Sequence, residues 1–132
     1  MAANWPKSPS PSGSAAEIGG FYREMTASIE LGHSRQLQPG AWVMAVGHPW
    51  GVPGAVTSGI VIGVGQGLPE LPAAHREWIA VSAHMRPGHS GGPLVDVAGR
   101  LVGINTMIAG PDVGFAIPVH AVKAFLKNAL GA

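Results

Sequence analysis

Gly88-His89-Ser90-Gly91-Gly92-Pro93 is the stretch whose residue types and spacing could do chemistry. A serine that attacks a carbonyl must project from a tight turn, with backbone N–H groups aimed at the oxygen where negative charge develops. Glycines on both sides of Ser90 permit that turn and let a substrate approach the backbone. A hydroxyl is a weak nucleophile until an adjacent base takes its proton, and the base needs an acid to fix its tautomer. Imidazoles are plentiful, six in all, but the first Asp is Asp96, after the serine motif.

The elements that must position this turn are short. From Pro39 onward, apolar runs alternate with Gly/Pro punctuation: Ala41–Gly47, Ala55–Val64, Trp78–Ala83, Pro93–Val97, Arg100–Thr106 and Val113–Ile117. Each has strand length, is rich in Val and Ile, and ends in a turn signal. Val97-Ala98-Gly99 reads as a tight hairpin with Gly at the positive-φ position. Pro118 opens VHAVKAFLKNALG, with Val119, Val122, Phe125, Leu126 and Ala129 on one stripe. Proline at the first turn, Lys123 and Lys127 late and Gly131 past the end complete a helix signature. The expectation is an all-β fold, a single six-stranded barrel over residues 37–132 closed by a C-terminal helix. Residues 1–20, rich in Ser, Pro, Ala and Gly, are expected to form a disordered tail. The pattern over 21–31 fits either a short helix or a strand.

Composition excludes several classes. The chain has 132 residues, enough for one domain with one core. With 46% apolar and only 11% charged residues, 20 glycines and 12 prolines, it suits short strands and turns better than a helical bundle. A formal net charge of +1 without a basic run gives no nucleic-acid or anionic-membrane surface. No cysteine means no disulfide and no thiolate metal site. No apolar stretch approaches the roughly 20 residues that span a bilayer. The first 20 residues carry no secretory signal, which makes the cytoplasm the default expectation.

Several motifs together resemble the second barrel of HtrA (Deg) type trypsin-like serine proteases, in order along the chain. Leu37-Gln38-Pro39-Gly40-Ala41-Trp42-Val43 resembles that barrel's first strand. Gly47-His48-Pro49-Trp50-Gly51 resembles the family's G-N-P-F-G loop, and Thr57-Ser58-Gly59-Ile60-Val61 its T-x-G-I-V strand. Pro87–Leu94 is similar to P-G-N-S-G-G-P-L, Leu101–Thr106 to L-V-G-I-N-T, and Gly114–Pro118 to G-F-A-I-P. The resemblance covers about two thirds of the chain and implies a trypsin-like barrel. It places Ser90 at the nucleophile position and the N–H groups of Gly88 and Ser90 at the oxyanion hole.

The same resemblance implies that the triad His and Asp belong to a first barrel upstream. Only about 36 residues precede Leu37, and they hold no Asp. Residues 21–36 match the inter-barrel connector, so His33, in Glu30-Leu31-Gly32-His33-Ser34, is not the base by position. The chain is therefore expected to be a truncated homologue in which Ser90 can go unused. His89 stands where the family has Asn or Asp and His48 where it often has Asn; His84 adds a third imidazole. Neutral imidazoles bind Zn²⁺, and three of them with a water make a hydrolytic site. One reading is accordingly a hydrolase of small activated esters or phosphoesters that uses His48, His84 and His89 with Zn or another divalent metal. A second is a Ser90-dependent esterase or protease whose base is unorthodox or comes from another chain. A third is a catalytically silent remnant that binds a peptide or a partner. His48, His84 and His89 also have plain readings as turn or loop residues, and His75 and His120 as surface residues. Trp50 and Trp78 read as core or interface. A lone barrel would also expose the face that packs on its missing half, and a homodimer is the expected remedy.

Overall fold

Strand β1 (Trp42–Gly47) buries alternate residues: Val43 and Ala45 face the interior, while Trp42, Met44 and Val46 lie toward the outside. The computed structural model describes residues 28–66, 68 and 76–131. Within them β2 (Ala55–Gly65), β3 (Trp78–Ala83), β4 (Pro93–Asp96), β5 (Leu101–Gly110) and β6 (Val113–Pro118) complete a closed antiparallel barrel in the order β1-β2-β3-β6-β5-β4. Six strands and a C-terminal helix, α1 (Val119–Leu130), are the expected all-β architecture. The tail over residues 1–20 and the first part of the connector, residues 21–27, lie outside the described residues.

Closure buries Val43, Val61, Ile79, Val81, Leu94, Val102 and Ala116 in one cluster. Each large aliphatic side chain buried this way contributes about 1.5–3 kcal/mol. Trp78 and Phe115 form a second cluster, edge to face with ring centroids 6.3 Å apart. Trp78 is thus a core residue, as its apolar strand suggested.

Strand β5 runs four residues past the expected end at Thr106. Met107 and Ile108 keep pairing with β6 through two register shifts, and the chain turns only at Gly110-Pro111-Asp112. The β4–β5 hairpin is closed by Asp96, whose carboxylate accepts N–H bonds from Ala98 (2.9 Å) and Arg100 (3.0 Å). Gly99 takes the expected positive φ, 75°.

Helix α1 starts at Val119 rather than Pro118, which ends β6 and serves as N-cap without a side-chain bond. Gly131, at φ 65°, closes the other end. The apolar stripe packs only at its start: Val119 is buried, whereas Phe125 and Leu126 are exposed. Residues 28–36 form neither a regular helix nor a strand. Leu31 makes one parallel bridge to Leu101, and Ser34–Gln36 form a 3-10 turn. No helix among the described residues is long and apolar enough to cross a membrane.

Candidate functional site

The loop between β3 and β4 carries Ser90, and hydrogen bonds on both sides fix its shape. The His89 N–H donates to the Arg86 carbonyl (3.0 Å), and His89 Nδ1 accepts the Arg86 N–H (3.0 Å). Gly91 N–H reaches the Asn105 carbonyl of β5 (2.7 Å), and Asn105 N–H returns to the Gly92 carbonyl (2.9 Å). Asn105 Nδ2 holds the Pro93 carbonyl (3.1 Å). The turn is therefore clamped to the barrel wall by Asn105 on one side and folded on itself by His89 on the other.

Two glycines have no substitute here. Gly88 has φ 106°, and a Cβ there would lie 2.7 Å from the His48 carbonyl oxygen and from Pro49 Cα. A Cβ on Gly92 would lie 2.0 Å from the Val46 carbonyl oxygen. Backbone packs directly on backbone at both positions, and only hydrogen fits.

Ser90 is exposed and lines a cleft of about 340 Å³ with Val46, Gly47, His48, Gly88 and Pro93. Its Oγ donates to the Thr106 carbonyl at 2.9 Å. Among the described residues, the N–H groups of Gly88 and Ser90 have no protein acceptor. Two unspent donors beside an exposed hydroxyl are what an oxyanion needs. No imidazole among the described residues bonds Ser90 Oγ.

The three imidazoles expected at a metal do not gather. His89 is 3% exposed, turned into the protein with Nδ1 on Arg86, and its Nε2 has no protein partner. His48 is exposed, with Nδ1 accepting the Gly54 N–H (3.0 Å) and 2.8 Å from the Gly47 carbonyl. His84 pairs with Asp112 of the β5–β6 turn at 2.9 Å, both exposed. The 47–48 backbone does adjoin that of His89, since a Cβ on Gly47 would sit 2.6 Å from His89 Cα. The rings nonetheless take separate partners. No group of three His, Cys, Asp or Glu among the described residues could hold a metal ion.

Two arrangements escaped the sequence. Trp50, read as core or interface, is 77% exposed and stacks against Arg86 of the serine loop. His120, read as a surface residue, sits between Ser34 and Glu77: Ser34 Oγ is 2.8 Å from Nδ1, and Nε2 contacts the Glu77 carboxylate. The residue types and order are those of a hydrolytic relay. Ser34, however, is 1% exposed, and its Oγ also accepts the His120 backbone N–H (3.2 Å). It caps α1 in place of Pro118, which has no side-chain oxygen to offer. An uncapped helix start was the available signal for this partner.

Comparison with known proteins agrees with this geometry. Residues 23–104 match the family model described as trypsin-like peptidase domain. HhoA of Synechocystis is 42% identical over 106 residues, which cover 77% of this chain and 27% of HhoA. The mitochondrial serine protease HTRA2 of Drosophila virilis is 36% identical over 103 residues, 76% of this chain and 24% of that protein. The chain thus spans about a quarter of the length of these curated relatives. Among solved structures, that of the HtrA-type protease AlgW with a decapeptide superposes with a TM-score of 0.71 at 36% identity. The match covers 79% of this chain and 33% of AlgW.

Proposed function

Because this chain belongs to the trypsin-like peptidase domain family, and its relatives include HtrA-type proteases, we propose that it carries the nucleophile and oxyanion hole of a serine peptidase site. The general base and its carboxylate partner come from a second body packed beside the Ser90 cleft. The observation that carries this reading is the pair of unsatisfied N–H groups, on Gly88 and Ser90, beside the exposed Ser90 hydroxyl.

In this reading Ser90 Oγ turns from the Thr106 carbonyl and gives its proton to the incoming imidazole. The oxygen attacks the carbonyl carbon of a peptide, and the resulting oxyanion takes hydrogen bonds from Gly88 and Ser90. Collapse breaks the C–N bond, and the imidazole proton leaves with the amine. Water then repeats the sequence on the acyl-enzyme and restores the Ser90 hydroxyl. One oxyanion donor is worth about 10²–10³ in rate.

The outer face of β1 and β2 supports a packing partner. Trp42, opposite Ile60 in the register and 61% exposed, continues into exposed Ile62, with Val56 further along the strand. Apolar residues in such number on one face usually meet another surface. A second copy of this chain is the occupant proposed, and light scattering at micromolar concentration should then give twice the 13.5 kDa of the monomer.

The chemical test is turnover of p-nitrophenyl acetate with free imidazole standing in for the base. Turnover above the imidazole background should be lost in Ser90→Ala and survive chelation. Chelator-sensitive turnover that persists in Ser90→Ala would replace this reading with metal-dependent ester hydrolysis by the His residues. No turnover above background in any arm would leave a silent, peptide-binding barrel.

A further inference from the structure

Trp50 is the one non-glycine residue with a positive φ among those described, at 55°. A bulky L side chain rarely accepts that backbone, and such strain collects where it serves a site. Burial does not compensate it, because the indole lies open to solvent. The ring instead lies under Arg86, whose guanidinium carbon is 4.7 Å from the ring centroid.

Neither residue lines the Ser90 cleft itself, but both stand next in the chain to segments that do. Trp50 follows His48 and Pro49; His48 lines the cleft, and Pro49 lies against Gly88. Arg86 lies in the same loop as Ser90, four residues before it, and forms no ion pair among the described residues. No carboxylate lines the cleft. Stacking on an indole fixes the plane of a guanidinium and leaves its edge N–H groups available, the arrangement that takes a carboxylate through two parallel hydrogen bonds.

We infer that Trp50 and Arg86 form a subsite beside the scissile bond, on the Gly88 side of Ser90, that selects a glutamate side chain of the bound peptide. The carboxylate meets Arg86, and the glutamate methylenes cover the indole. This rests on the reading of Ser90 as a peptide-cleaving nucleophile.

The test is binding of fluorescein-labelled decapeptides to the full 132-residue chain, followed by anisotropy. A single Glu is walked through every position of an otherwise neutral sequence, beside Gln and Lys counterparts. At one position Glu should bind roughly 5-fold tighter than Gln at low salt, and the gap should shrink as salt screens the exposed pair. Arg86→Glu should invert the preference toward Lys at that same position. Arg86→Gln should abolish it without moving the melting midpoint, which guards against a loop that has merely collapsed. Binding without a Glu preference, or a preference that survives Arg86→Glu, overturns the subsite and leaves the Ser90 reading standing. Absence of binding by every peptide overturns both.

Discussion

Replacing Ser34 by Ala tests whether the Ser34–His120–Glu77 relay is a clasp or a second catalytic centre. The substitution removes the side-chain acceptor that holds the His120 N–H at the start of α1, a loss of about 1 kcal/mol for a typical cap. It also strips His120 Nδ1 of its partner in a half-buried ring, which costs about 1 kcal/mol more. The expected destabilisation is therefore about 2 kcal/mol. For a domain of this size about 3–5 °C accompanies each kcal/mol, so the melting midpoint should fall by ~6–10 °C. Circular dichroism of the full chain measures it. A cycle with His120→Ala and the double variant should show a coupling of at least about 1 kcal/mol, because the two side chains share a hydrogen bond. Ser90 chemistry should be unchanged, since the Ser34 and Ser90 clefts share no residue. A midpoint shift below ~2 °C, or an additive cycle, refutes the clasp. Loss of ester turnover at unchanged stability would make Ser34 a reacting group.

Other outcomes follow from the serine loop and the β4–β5 hairpin. Gly88→Ala should cut imidazole-assisted turnover at least ~10²-fold, because a Cβ 2.7 Å from the His48 carbonyl forces the oxyanion donor away; turnover within threefold of the parent, as a rough bound, would contradict the assignment of that donor. Burial pushes the Asp96 carboxyl up, but N–H bonds from Arg100 and Ala98 and the Arg100 guanidinium outweigh it and hold the group below the usual carboxylate range. A lowered folded value means stability that is present above an unfolded pKa of about 4 and lost as pH falls through the folded value. Thermal melts of the parent and Asp96→Asn should therefore differ by roughly 1 kcal/mol at neutral pH and converge below about pH 4. A gap that stays constant down to about pH 2 would show that the carboxylate charge is not what stabilises the hairpin.

The barrel was legible because its information is local. Val and Ile runs of strand length, most of them followed closely by Gly, Pro or Asp, mark where the chain extends. What they could not fix is where pairing stops. Met107, Ile108 and Ala109 carry no turn signal, and β6 keeps them in the sheet through two bulges. The helix shows the converse. Its stripe of Val122, Phe125 and Leu126 has the right period, yet the barrel offers a surface only to its first turn. Periodicity records that a face is apolar; what covers it depends on neighbours that no local pattern names.

The same distinction governs the site. The glycines at 88 and 92 answer a backbone requirement, since each meets a carbonyl oxygen where any Cβ would clash. The imidazoles carry no such constraint. A His is equally at home as ligand, base or turn brace, and the choice depends on which way the ring turns. His89 follows a glycine in a loop that must fold on itself, and its Nδ1 satisfies the Arg86 N–H that the fold leaves inside. Its free Nε2 lies buried, and among the described residues no pair of further ligands joins it to make a metal site. The residue with the most suggestive chemistry thus braces the turn that carries Ser90, and the proposed chemistry rests instead on Ser90, Gly88 and a partner surface that would bring the base.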